Sequence, residues 1–256
     1  MTKVPTLWQK FLAEMIGTGF LVFAGAGAAT ATGVLLGKSA LSMADLGVIG
    51  LAFAIAIAVM VYSVGHISGC HINPAVTIAM GVTRRMTWRE AGVYLLAQFV
   101  GSLLGALAIA LAYGASAAVT THFGANDFSD ITVGYPVAIA VETIGTFFLL
   151  FVIMGTAVDG RAPSGWAGLA IGLTVGGEIM ALGPVTGASL NPARSFGPAI
   201  IQALFGGSYN FAHLIPYFVG PILGGILGVL VYGFMAGIKG GEAATESKVE
   251  ATAESD

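Results

Sequence analysis

Two copies of one tripeptide carry the polar chemistry of a largely apolar chain: Asn73-Pro74-Ala75 and Asn191-Pro192-Ala193, 118 residues apart. Asn is a strong N-cap and Pro is at home in the first helical position, so a helix of about ten residues is predicted to start at each Asn. Each helix N-terminus presents about half a positive charge, and each Asn carboxamide has N–H groups to donate. Arg194, one turn into the second helix, adds a guanidinium that only donates. Such a set can orient a small neutral solute and repel cations. Two Gly-containing stretches lead into the tripeptides, Ser68-Gly69-Cys70-His71-Ile72 and Thr186-Gly187-Ala188-Ser189-Leu190. As extended segments they offer rows of carbonyl acceptors. No His-Glu-x-x-His, Gly-x-Ser-x-Gly or Cys/His cluster accompanies them, so hydrolytic and metal chemistry have no motif here. His66 and His71 are a pair without a third ligand, and no cofactor or nucleic-acid site is indicated.

The elements that position these groups are membrane spans. The chain is 56% hydrophobic and 9% charged, against about 25% charged in soluble domains, with a mean hydropathy of +0.89. Lipid must be its main solvent. Apolar runs near 8–33, 46–66, 88–113, 133–157, 165–182 and 211–238 each suffice to cross about 30 Å of hydrocarbon as a helix. The 38 glycines suit close helix packing in a membrane. The first run is not read as a cleaved signal, because Glu14 interrupts it and its surroundings recur later.

That recurrence is an internal repeat. Ala13-Glu14-Met15-Ile16-Gly17-Thr18 returns as Val141-Glu142-Thr143-Ile144-Gly145-Thr146, and Gly50-Leu51-Ala52-Phe53 as Gly168-Leu169-Ala170-Ile171. Gly101 and Gly105 pair with Gly224 and Gly228. Each copy holds three spans, so the second enters the membrane from the opposite face, an inverted repeat whose working site lies at the midplane. A ten-residue helix spans about 15 Å, half the bilayer core. The two short helices should therefore meet N-terminus to N-terminus, and irregular backbone at that depth must be buried or line a hydrated cavity. The fold class expected is an all-α membrane protein with six transmembrane helices and two re-entrant half-helices. One domain is expected over 1–240, with repeats at 8–113 and 133–238 and a disordered acidic tail at 241–256.

Loop charges give the orientation. Lys3, Lys10, Arg84, Arg85, Arg89, Arg161, Lys239 and Lys248 share one side if the spans alternate, against Lys38 on the other, so both termini are expected to be cytoplasmic. Glu14 and Glu142 are membrane acids at matching positions, for which a proton relay is one conceivable role. Inverted repeats with broken helices also occur in secondary transporters, and the acids, with Glu178, keep that alternative open. Cys70, the repeat partner of Ala188, is expected to turn its thiol toward the central path.

With the doubled Asn-Pro-Ala inside inverted repeats, residues 8–238 resemble the aquaporin and glycerol-facilitator family. Ser-Gly-Cys-His-Ile-Asn-Pro-Ala is similar to archaeal members in particular. The resemblance implies one water-conducting pore per chain, a homotetramer in the cell membrane, and a loop-supporting role for Glu14 and Glu142. It also implies pore-lining positions at Gly69, Cys70, His71, Ile72, Gly187, Ser189 and Leu190, and a narrow extracellular filter of Phe53, Ile179, Ala188 and Arg194. Water-selective members usually carry His where this chain has Ile179, so the aperture is expected to be wider and less polar. Glycerol facilitators typically carry Trp at Phe53 and Asp at Ser195. Neither is present, which favours water, with glycerol, ammonia and urea as further candidate solutes.

Overall fold

The computed structural model describes residues 4–37 and 39–238. The expected acidic tail, with Lys3, Lys38, Lys239 and Lys248 from the orientation argument, lies outside the described residues. In chain order, the spans α1 (Leu7–Leu36) and α2 (Met43–Ser68) precede a short α3 (Pro74–Val82), and the span α4 (Trp88–Tyr113) precedes a short α5 (Ala115–Thr120). The spans α6 (Gly134–Val158) and α7 (Ala167–Thr186), the short α8 (Pro192–Leu204) and the span α9 (Phe211–Ala236) follow. All six predicted spans are present, with ends shifted by a few residues. Local capping sets several of these ends. Ser42 and Asp45 form a reciprocal capping box that starts α2 before the apolar run begins, and Thr6 with Gln9 does the same for α1.

The half-helices start at the two Asn residues, as their sequence dictates. They are unequal: α3 has 9 residues and α8 has 13, a turn more than expected. Pro198 removes one i→i−4 bond inside α8. The helix continues because its far half is buried, with Ile201 packed in a cluster with Val22, Ala106 and Ile109.

The repeat is visible in the helix crossings. A Cβ on Gly101 or Gly105 would strike the carbonyl oxygen of Met15 or Gly19, and one on Gly224 or Gly228 that of Thr143 or Phe147. These are corresponding contacts, α4 on α1 and α9 on α6. α2 crosses α7 where Gly50 faces Gly176 and Gly172 faces Ala54, so the pseudo-two-fold passes between these two helices. Backbone approach this close is what small residues permit in lipid. Gly224→Ala is expected to destabilise the protein by about 1–3 kcal/mol through overpacking. Gly92→Ala, with nothing within 4 Å of the added carbon, should be neutral or mildly stabilising. Thermal unfolding midpoints in detergent would check this; a midpoint for Gly224→Ala equal to that of the parent would show that α6 and α9 separate readily.

At one end of the bundle, Arg161 donates to both oxygens of Asp159 (2.8 and 2.6 Å) and to the Ala236 carbonyl at 3.0 Å, tying the 159–166 connection to the last turn of α9. The guanidinium beside it holds the Asp159 carboxyl well below the usual carboxylate range.

Candidate functional site

The approach to each half-helix is a stretch of left-handed backbone. Gly69, Cys70 and Ile72 have φ of 83°, 50° and 43°; Gly187, Ala188 and Leu190 have 75°, 46° and 55°. For a β-branched residue such as Ile72 this is strained, and such a turn persists only where the surroundings over-determine it. Here the buried glutamates do so. Glu14 accepts from the His71 and Ile72 amides (2.8 and 2.7 Å), from Ser68 Oγ at 2.7 Å and from Gln98 Nε2 at 2.8 Å. Glu142 accepts from the Ser189 and Leu190 amides (2.9 and 2.7 Å) and from Thr186 Oγ1 at 2.7 Å. Both carboxylates are fully buried. Tyr94 and Tyr217 close the same turns, donating to the Ser68 and Thr186 carbonyls at 2.6 and 2.8 Å.

The two Asn residues cap as predicted. Asn73 Oδ1 accepts from the Ala75 amide at 2.9 Å, and Asn191 Oδ1 from the Ala193 and Arg194 amides at 3.0 and 3.2 Å. Each carboxamide also reaches across the repeat. Asn73 Nδ2 donates to the Leu190 carbonyl at 2.8 Å, and Asn191 Nδ2 to the Ile72 carbonyl at 2.9 Å. The two half-helices thus abut at their N-termini, and one N–H of each Nδ2 group is left over, because an amide nitrogen carries two. Asn73 and Asn191 both border a cavity of about 610 Å³ that Gly69, Cys70, His71, Ile72, Ser189, Leu190 and Phe53 also line.

Arg194 stands where this cavity meets a second one of about 260 Å³, which Ile179 and Gly187 line with Gly124 and Ala125. Its Cζ lies 4.9 Å from the centroid of the Phe53 ring, and its Nη1 donates to the Gly124 carbonyl at 2.8 Å. The structure therefore brings Phe53, Ile179 and Arg194 together at the junction of the two cavities. Ala188 is buried beside it and lines neither cavity. Gly25 makes room for Phe53: a Cβ there would overlap the ring. Glu178 lines neither cavity, and its two carboxylate oxygens are shielded without a hydrogen-bond partner among the described residues.

Residues 114–132 join the two repeats and carry Asp127 and Asp130 but no Lys or Arg. In the structure this loop folds onto the site. Asn126 donates to the Gly187 carbonyl at 2.9 Å and accepts from Ser195 Oγ at 3.0 Å, while Gly124 supplies the carbonyl that holds Arg194. Gln98 and Ser102 were missed as well. Gln98 joins Glu14 to Thr77 (2.9 Å to Oγ1), and Ser102 Oγ donates to the Ala193 carbonyl and accepts from the Gly197 amide. Two polar residues four apart on an apolar span were the available signal.

Six spans and two half-helices meeting end to end, each half repeating the other in inverted order, define a multi-pass α-helical membrane protein of the re-entrant type. The chain belongs to the major intrinsic protein family, whose model matches residues 1–232. It is 47% identical to the probable aquaporin AqpM of Archaeoglobus fulgidus and 42% identical to aquaporin AqpM of Methanothermobacter thermautotrophicus; in each case 90% of this chain and 98% of the relative are covered. Among solved structures, the aquaglyceroporin from Plasmodium falciparum superimposes with a TM-score of 0.75 at 24% identity, covering 89% of this chain and 96% of that one.

Proposed function

We propose that this protein is a passive channel that conducts water, admits small neutral solutes, and excludes protons and ions. The observation that carries this reading is the pair of abutting half-helix N-termini, each with one spare Asn N–H beside the larger cavity. A water molecule there accepts from Asn73 and Asn191 with its oxygen, which turns its hydrogens outward and interrupts the hydrogen-bonded wire along which protons hop. The two helix ends and Arg194 add a positive barrier to cations. This account is the general one for aquaporin-type pores. Phe53, Ile179 and Arg194 set the aperture, with Ala188 buried beside them and Glu14 and Glu142 supporting the loops. Aquaporin relatives and an aquaglyceroporin neighbour support the substrate class.

The channel unit is residues 1–240, with repeats at 8–113 and 133–238. It works as a homotetramer in the cell membrane, with both termini cytoplasmic. Lys10, paired with Glu90 at 2.5 Å, and Arg85 border the same mouth of the larger cavity, which supports that orientation.

Reconstituted in liposomes and challenged with a sucrose jump, the protein should speed shrinkage well beyond protein-free vesicles, with an activation energy near that of free water diffusion. Shrinkage no faster than that of empty vesicles, from folded protein, would sink the water-channel reading and favour a carrier. Cys70 offers a second check, since it borders the same cavity. Mercurials should inhibit the parent and leave Cys70→Ser conducting; equal inhibition of both would misplace the thiol.

A further inference from the structure

The outer connection that holds Arg194 is itself held by one histidine. His213, in the turn that opens α9, has a side chain only 7% exposed, bonded at both ring nitrogens. Nδ1 lies 2.5 Å from Asp127 Oδ1, and Nε2 lies 3.2 Å from Asp130 Oδ2. Phe128, between the two acids in sequence, stacks on the imidazole at 4.3 Å, and Tyr135 meets it edge-on at 5.8 Å. Both aspartates are more than half exposed to solvent. A carboxylate only accepts hydrogen bonds, so the two contacts are both hydrogen bonds when both ring nitrogens donate, as they do in the imidazolium. The groups facing His213 are Asp127, Asp130, Phe128 and Tyr135, with Tyr217 behind Phe128. Tyr209 lies alongside, donating to the Asn126 carbonyl at 3.1 Å.

We infer that His213 is a proton-dependent positioning residue for the constriction: as an imidazolium it clasps Asp127 and Asp130, and through the adjoining Gly124 and Asn126 it fixes Arg194 and the second loop. The connection is short. Asn126 precedes Asp127 directly and binds the Gly187 carbonyl, and Gly124, two residues earlier, binds Arg194. When the ring loses a proton, one nitrogen turns a lone pair toward a carboxylate. That hydrogen bond becomes a repulsion, and the loop is held at one acid instead of two. The clasped state is the narrow one, with Arg194 against Phe53. The clasp is complete at low pH and is lost as pH rises through the imidazole range, and loss of it relaxes the aperture toward larger solutes.

The inference rests on the channel reading, and the test separates the two. Glycerol and water permeabilities of reconstituted protein are measured from about pH 5 to about pH 9, spanning imidazole titration. The glycerol-to-water ratio of the parent should rise with pH by about fivefold, the lower end of usual coupling between separate sites. In Asp127→Asn/Asp130→Asn the ratio should be flat, because carboxamides bond a neutral imidazole as well as a charged one. A flat ratio in the parent, or the same rise in the double variant, overturns the clasp. Absence of any flux overturns the channel reading instead. The clasp is then read directly by NMR of labelled histidine, with His213 assigned by its loss in His213→Phe. A doubly protonated ring at neutral pH in the parent, neutral in the double variant, supports it; a neutral ring in the parent refutes it.

Discussion

Replacing Glu142 by alanine is expected to leave no stable fold. The carboxylate is fully buried and accepts three hydrogen bonds, from the Ser189 and Leu190 amides and from Thr186. Each buried donor left without a partner costs about 1–3 kcal/mol, and three together rival the 5–15 kcal/mol that stabilises a typical domain. The strain at Ala188 and Leu190, both in left-handed backbone, would also lose its counterweight. Glu142→Gln keeps the shape but substitutes an NH₂ that faces an amide donor instead of accepting from it, so a milder loss is expected. The yield of folded protein after extraction and its thermal midpoint are the measurements. A Glu142→Ala protein with parental yield and midpoint would show that the loop is held by packing alone.

The largest functional effect is expected at Arg194. Arg194→Val removes the guanidinium that joins Phe53 to the Gly124 carbonyl and separates the two cavities. The remaining wall, Phe53 and Ile179, is apolar. Glycerol permeability should rise on the order of tenfold, equivalent to about 1.4 kcal/mol, a fair return for one hydrogen bond to a charged group. Water permeability should change far less, because the Asn73 and Asn191 donors remain. Swelling assays with glycerol and sucrose would report both rates. Unchanged glycerol flux would place the rate-limiting constriction elsewhere along the path.

The parts of this architecture that depend on local chemistry were legible in the residues. Apolar runs gave the spans, and Asn-Pro gave the starts of both half-helices, because capping and the fixed φ of proline act over a single turn. The buried acids Glu14 and Glu142 stood out because a carboxylate in an apolar span demands an explanation, and their partners proved to be the loop amides. The length of α8 was not legible, because burial of Ala199 and Ile201 outweighs the bond lost at Pro198. Nor was the role of residues 122–130. That segment has no periodicity, and Gly124 works through a main-chain carbonyl that no side chain advertises. His213 and its two aspartates are likewise separated by more than 80 residues, and only the tertiary fold brings them together.

The crossed Asn bonds have a consequence for biosynthesis. Asn73 finds its acceptor at Leu190, and Ile72 receives its donor from Asn191. When the first three spans leave the ribosome, Glu14 can already gather residues 68–72, yet Asn73 has no carbonyl to meet until some 117 further residues have been made. At cellular elongation rates that is a wait on the order of ten seconds. The centre of the molecule therefore cannot close until the second repeat has been made, and a nascent chain holding only the first half is a vestibule with no far wall.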